Sequence, residues 1–151
     1  ALFTVRFFNQ SLEALTRVLS QEFVMPGLGD AGAHVSQIMD AGWSTFVLSH
    51  WGRDAELYSL EETVRRITSA PARVLGVTDR GTITRGLRAD INVIDIDRLG
   101  ERMPEIVHDF PGGAKRFIQR ANGYRATICN GKVILRDDEH TGVRPGCVLR
   151  H

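Results

Sequence analysis

The chain has 151 residues, 42% of them apolar, with 19 basic against 18 acidic side chains and a formal charge of +1. That length suffices for one domain burying roughly 70% of its unfolded surface, and falls short of the about 250 residues of a complete (β/α)8 barrel. The signs of charge are balanced and interspersed, which argues against nucleic acid or an anionic membrane as partner, and no apolar run approaches the roughly 20 residues of a membrane span.

Residues 11–21 (SLEALTRVLSQ) carry apolar side chains at 12, 15, 18 and 19, a helical stripe with Ser11 placed to cap it. Phe23, Val24 and Met25 then read as a short buried strand that breaks at Pro26, Gly27 and Gly29 into a glycine-rich loop. Asp30 stands at that break, before Ala31 and Gly32. A carboxylate at the C-terminal edge of a strand is where α/β enzymes present catalytic groups. The competing reading makes Asp30 the cap of a helix starting near Ala33 or His34. Residues 35–50 predict one or two short helices.

Residues 59–69 (SLEETVRRITS) predict a stronger helix, with Ser59 and Glu62 as a capping box and Leu60, Val64 and Ile67 along one face. Pro71 opens a further helical turn that Gly76 ends. Beyond Gly76 the period changes. Thr82, Ile83 and Thr84 predict a short strand, and Gly86 a turn. Residues 91–96 (INVIDI) alternate with period two, as a half-buried strand does. Residues 97–122 read as loop, carrying Pro104, Pro111, Gly112 and Gly113. Asn130-Gly131 between the β-rich runs 124–129 and 132–136 predicts a hairpin. The residues after His140 predict an irregular tail.

The order of these motifs is more specific than any one of them. Residues 80–95 read RGTITRGLRADINVID, preceded by ITSAPARVLGV and followed by CNGKVIL and EHTGVRPG. This order resembles the C-terminal end of the amidohydrolase superfamily, most closely its D-aminoacylase (N-acyl-D-amino-acid deacylase) branch, from Pro26 to Arg150. HWGRD (residues 50–54) and HTGVRPG (residues 140–146) favour that branch over dihydroorotase-like relatives. The resemblance implies an α/β fold. Residues 1–76 would be the closing segment of a (β/α)8 barrel, helices plus the last barrel strand. Residues 77–151 would be the C-terminal part of a composite β-sandwich-like unit.

It also implies a zinc-dependent hydrolase that cleaves the amide bond of N-acyl-D-amino acids or related small-molecule amides. The family's zinc ligands lie in its N-terminal half. Here there is no HxH or HExxH, and the five histidines are scattered at 34, 50, 108, 140 and 151. The chain is therefore expected to be the C-terminal portion of a longer one, which a first residue Ala1 in place of Met also suggests. No zinc is expected on it, and no activity from it alone.

By position, Asp30 matches the family aspartate that takes a proton from metal-bound water and returns it to the leaving amine. A carboxylate of pKa about 3.9 cannot deprotonate bulk water at about 15.7, but zinc brings bound water to about 7. His34, four residues on, is expected in the same pocket, or else as a loop histidine bonded to backbone. His50 and Arg53 would contact substrate or orient Asp30, since an arginine fork suits a substrate carboxylate. The alternative is a structural Arg53–Asp54 ion pair that links barrel to β unit. Trp51 reads as a packing residue, Asp90 as a turn-fixing one, and Cys129 as an inert core residue.

Two other readings remain. In one, the chain is a non-catalytic interaction or oligomerisation module derived from an amidohydrolase. In the other, it is a self-sufficient hydrolase using Asp30 with His34 or His50; against this, there is no GxSxG elbow and no Cys–His signature. Open strand edges predict a homo-oligomer. Two cysteines without a CxxC pair, and no signal-like segment, predict a cytoplasmic setting.

Overall fold

Ser11 begins the first helix as its sequence requires: its hydroxyl accepts the Ala14 N–H at 3.2 Å and caps α1, Leu12–Leu19, worth about 1 kcal/mol. The computed structural model describes residues 10–27, 29–34 and 40–149. Leu15 and Leu19 turn inward, while Leu12 and Val18 stay exposed at the edge of the stripe. Helix α2, Trp43–Phe46, runs directly into a π-helical stretch, Val47–Asp54, closed by the Ala55 N–H on the His50 carbonyl at 2.7 Å. The short helices expected over residues 35–50 are thus present from Trp43, and residues 35–39 lie outside the described residues. Leu19, Val47, Trp51 and Tyr58 form the buried cluster, with Leu15, Val24, Phe46 and Ile67 packed against it. Trp51 is the packing residue its sequence context predicts.

Helix α3, Leu60–Ile67, departs from expectation on two counts. Ser59 caps it through the Glu62 N–H at 3.2 Å, but Glu62 does not reach back as a capping box would. Its carboxylate instead accepts from Nε of Arg65 at 2.5 Å and Nε of Arg66 at 2.6 Å. The buried face is also different: Leu60 and Val64 are exposed, whereas Thr63 and Arg66 are buried beside Ile67. Gly52 in the π-helical stretch lets Thr63 come close, for a Cβ there would lie 2.8 Å from its Oγ1. Thr63 satisfies its hydroxyl on the Ser59 carbonyl at 2.8 Å. Helix α4, Ser69–Val74, starts before Pro71, which falls at its third position. There the missing N–H is one of the four that lack helical partners anyway.

Two expected strands are absent. Residues 23–25 form no strand, and Phe23 is 85% exposed. Val24 donates its N–H to the Gln21 carbonyl at 3.2 Å, within a turn. A strand without a neighbour cannot pair its backbone groups, and no described strand lies beside this one. For the same reason residues 82–84 bend, with the Leu87 N–H on the Thr84 carbonyl at 3.1 Å.

The strands begin with β1, Ile91–Ile94, two residues shorter than the 91–96 expected, because Ile96–Arg98 turn into a 3-10 helix. The expected loop over residues 97–122 instead holds four short strands: β2, Gly100–Glu101; β3, Glu105–Val107; β4, Arg116–Ile118; and β5, Ala121–Asn122. They pair antiparallel as β2–β5 and β3–β4. Strands this short show no readable alternation; of the residues that suggested loop, Pro111, Gly112 and Gly113 form a turn and Pro104 lies between β2 and β3. Then come β6, Tyr124–Cys129; β7, Lys132–Arg136; and β8, Glu139–His140, in an antiparallel sheet ordered β1-β6-β7-β8. Asn130 (φ +48°) and Gly131 (φ +75°) both adopt left-handed backbone between Cys129 and its partner Lys132, the two-residue turn this dipeptide favours. Cys129 is half-buried in β6, and Cys147 is exposed in the irregular tail.

Candidate functional site

The sequence from Leu19 to Asp30 has no ladder of its own, so side chains elsewhere hold it. Arg66, 5% exposed, points Nη1 at the carbonyls of Leu19 (3.1 Å), Gln21 (3.1 Å) and Val24 (2.6 Å). Its guanidinium lies 4.4 Å over the Tyr58 ring, and the Tyr58 hydroxyl donates to the Leu19 carbonyl at 2.5 Å. The Leu19 carbonyl, left open at the end of α1, is thereby satisfied. Desolvation holds the Tyr58 hydroxyl above its ordinary pKa. The two arginine hydrogen bonds, Arg65 first, hold the Glu62 carboxyl down at about 2.

At the far end of this stretch, Asp30 donates its backbone N–H to Oδ2 of Asp40 at 2.7 Å, and its carbonyl accepts the Ala33 N–H at 2.9 Å. Asp30 is exposed, and no side chain among the described residues bonds its carboxylate. His34 closes the same turn, exposed, with a left-handed φ of +52°. The structure therefore puts Asp30 and His34 in one exposed turn.

His50 and Arg53 belong to a second group, on the π-helical stretch. The His50 ring stacks on Phe46 at 4.7 Å and meets the Trp51 ring edge-on at 4.7 Å. Arg53 grips Asp54 through Nε (2.6 Å) and Nη2 (3.1 Å), while Nη1 donates to the carbonyls of Ile96 (2.8 Å) and Leu99 (2.6 Å). The hydrogen bond to Arg53 is the main cause that lowers the Asp54 pKa, and the same bond raises that of Arg53. Arg53 thus ties the helical segment to the strand segment. Among the described residues, no hydrogen bond or ring contact joins this group to Asp30 or His34.

Two cavities among the described residues are built from other side chains. One, of about 390 Å³, is lined by the cross-strand row Asn92, Thr127, Leu135 and His140 together with Thr45 and Tyr124. The smaller, of about 110 Å³, is bordered by Arg80, Arg88, Cys129 and Cys147, and there Arg88 donates to the Cys147 sulfur at 3.3 Å. Asp90 takes the Asn130 N–H at 2.7 Å and Arg80 at 3.2 Å, so it fixes the hairpin turn as well as the loop before its own strand.

Sequence reasoning passed over Asp40 and Arg66. The signal for Arg66 was its spacing of four from Glu62. Asp40 gave only a lone acid beside Met39 and Ala41.

Set against known proteins, residues 31–135 match the profile of the amidohydrolase family, beginning immediately after Asp30. An N-acyl-D-glutamate deacylase of Alcaligenes xylosoxydans xylosoxydans is 33% identical over 111 residues, which is 66% of this chain and 22% of the relative. A D-aminoacylase of the same organism is 32% identical over 109 residues, covering 71% and 21%. Among solved structures, a D-aminoacylase mutant in complex with CuCl2 aligns at 28% identity and a TM-score of 0.55, covering 72% of this chain and 21% of that one. A D-aminoacylase studied for its binuclear metal centre aligns at 28% identity and a TM-score of 0.50, covering 66% and 19%. The chain spans about a fifth of the length of the curated relatives it matches.

Proposed function

This chain belongs to the amidohydrolase family, and we propose that it is the C-terminal portion of a metal-dependent hydrolase that cleaves the amide bond of N-acyl-D-amino acids. The observation that carries this reading is the exposed carboxylate of Asp30, without a partner among the described residues, immediately before a segment that matches the amidohydrolase family in a chain similar to deacylases of such substrates. We place residues 1–76 in the closing segment of a (β/α)8 barrel and residues 77–151 in a composite β-sandwich. The division is supported by helices α1–α4, which end before Gly76, and by strands that all follow it. Exposed Phe23, where a barrel strand is expected, suits a strand whose neighbours lie elsewhere in the protein. Among the described residues no helix is long and apolar enough to cross a membrane.

In the whole enzyme, Asp30 moves a proton: its carboxylate accepts one from the attacking water and passes it to the leaving nitrogen. A metal ion, zinc in our reading, would supply the acidification of water that no carboxylate achieves alone. No group of three His, Cys, Asp or Glu side chains among the described residues could hold a metal, so the residues present do not fit that site. Its ligands are assigned to the rest of the protein. His34, exposed in the turn of Asp30, and half-exposed His50 are proposed to contact substrate. The donors of Arg53 are engaged with Asp54 and two carbonyls, which supports a holding role for it.

The test is Asp30→Asn in the full-length enzyme. Turnover of an N-acyl-D-amino acid is expected to fall about 10²- to 10⁴-fold, with metal content by elemental analysis unchanged. Near-normal turnover would remove Asp30 from the chemistry.

A further inference from the structure

Asp40 is the carboxylate that touches the backbone of Asp30, and the role proposed for Asp30 leaves it unexplained. We propose that Asp40 is a positioning residue: it fixes the main chain at Asp30 and thereby aims the Asp30 carboxylate at the reacting water. This inference rests on the reading of Asp30 as the proton carrier.

Three observations support it. The Asp30 N–H reaches Oδ2 of Asp40 at 2.7 Å, across ten positions of sequence, in the range of charge-assisted bonds. The residue before Asp30 is Gly29, where any Cβ would run into the Asp40 carboxylate. Glycine is therefore what lets the two segments close. Lastly, Oδ1 of Asp40 is buried and has no partner among the described residues. A buried acceptor left without a donor is costly, so stability alone gives Asp40 little reason to be there.

The contrast with the other acids of the chain strengthens the point. Asp54, Glu62, Asp79 and Asp109 each face an arginine. Asp40 has no cation among the described residues and holds the Asp30 N–H instead. The effect on catalysis follows from geometry. A proton carrier must sit about 2.6–3.2 Å from the atom it serves, and a displacement of about 1 Å can cost about a hundredfold in rate. The loop before Asp30 lacks a strand partner, so the Asp40 contact is one of the few constraints on where that carboxylate stands.

The test uses the full-length enzyme with Asp40→Ala, Asp40→Asn and Gly29→Ala, read in two ways. One is hydrolysis of an N-acyl-D-amino acid; the other is hydrogen exchange at the Asp30 amide. Asp40→Ala is expected to lower kcat about tenfold to a hundredfold with little change in KM. Exchange of the Asp30 amide should quicken by about tenfold or more. Asp40→Asn, whose side-chain oxygen still accepts the N–H, should recover most of both. Gly29→Ala should mimic the alanine variant without touching Asp40, and decides the matter if Asp40→Ala does not fold. Unchanged exchange, an effect confined to KM, or an asparagine variant as impaired as the alanine one would overturn the proposal. If the wild-type enzyme cleaves no N-acyl-D-amino acid, it is the functional reading that falls. Amide exchange then still decides whether Asp40 holds Asp30.

Discussion

The chain holds two of its turns by different means. The hairpin at Asn130–Gly131 rests on a ladder between β6 and β7 and on two left-handed backbone positions, and Asp90 and the Ala89 carbonyl bond its two turn amides. The stretch from Leu19 to Asp30 is held from afar, by Arg66 at separations of 42 to 47 residues and by Asp40 at its end. The first arrangement buries its commitments in the backbone. The second leaves the tip of the loop exposed and, among the described residues, its carboxylate without a partner. The two turns thus differ in whether a strand ladder backs them.

The sharpest way to break this comparison is to remove the distant tie. Arg66→Ala removes the buried guanidinium from the carbonyls of Leu19, Gln21 and Val24 and from Glu62, leaving Leu19 with the Tyr58 hydroxyl and Glu62 with Arg65. Losing one partner of such a network is expected to cost about 3–5 kcal/mol, read from denaturant unfolding followed by Trp51 fluorescence. A loss under about 1 kcal/mol, within the range of an exposed pair, would mean that the 19–24 segment supports itself.

Gly131→Ala probes the other side with a smaller effect. A Cβ at φ +75° strains the left-handed backbone by about 1–2 kcal/mol. Amides of β6 and β7 should exchange faster, while those around residues 19–30 stay as they were. Spread of the effect into that stretch would show that the two turns are coupled.

The same distinction explains what could be read from sequence. Ser11 and Ser59 act within four residues of themselves and each capped its helix as expected; Asn130-Gly131 formed the expected turn, which Asp90, forty positions away, also bonds. Strand β1 was also legible, because its partner β6 carries the complementary pattern. Phe23 to Met25 has a strand's composition but no neighbour among the described strands to pair with. Arg66 was passed over because its burial depends on carbonyls of Leu19, Gln21 and Val24, more than forty positions away. At the candidate site the exposed loop of Asp30 was legible from its glycines. The role of Asp40 was not, because one backbone hydrogen bond leaves no periodic trace.

The smallest expected effect is one of pH, and it sharpens the comparison by touching only the side-chain-held region. The folded state holds the Glu62 carboxyl near about 2, against its ordinary 4.5, because Arg65 and Arg66 bond its charged form. A depressed carboxyl pKa contributes stability that is complete above the unfolded value. Protonation of the unfolded chain therefore begins to erode that contribution below about pH 4.5, and it is gone once the pH falls through about 2. With 32% of the Glu62 side chain exposed, screening keeps the contribution to about 1 kcal/mol or less. Thermal unfolding between pH 6 and pH 2, in about half-unit steps, should show a shallower acid limb in Glu62→Gln than in wild type. Exchange of the β6–β7 amides at neutral pH should not distinguish the two. Parallel acid limbs would mean that Glu62 is bonded to its arginines too weakly to steady Arg66, and that the bonds of Arg66 to the carbonyls of Leu19, Gln21 and Val24 hold that stretch without it.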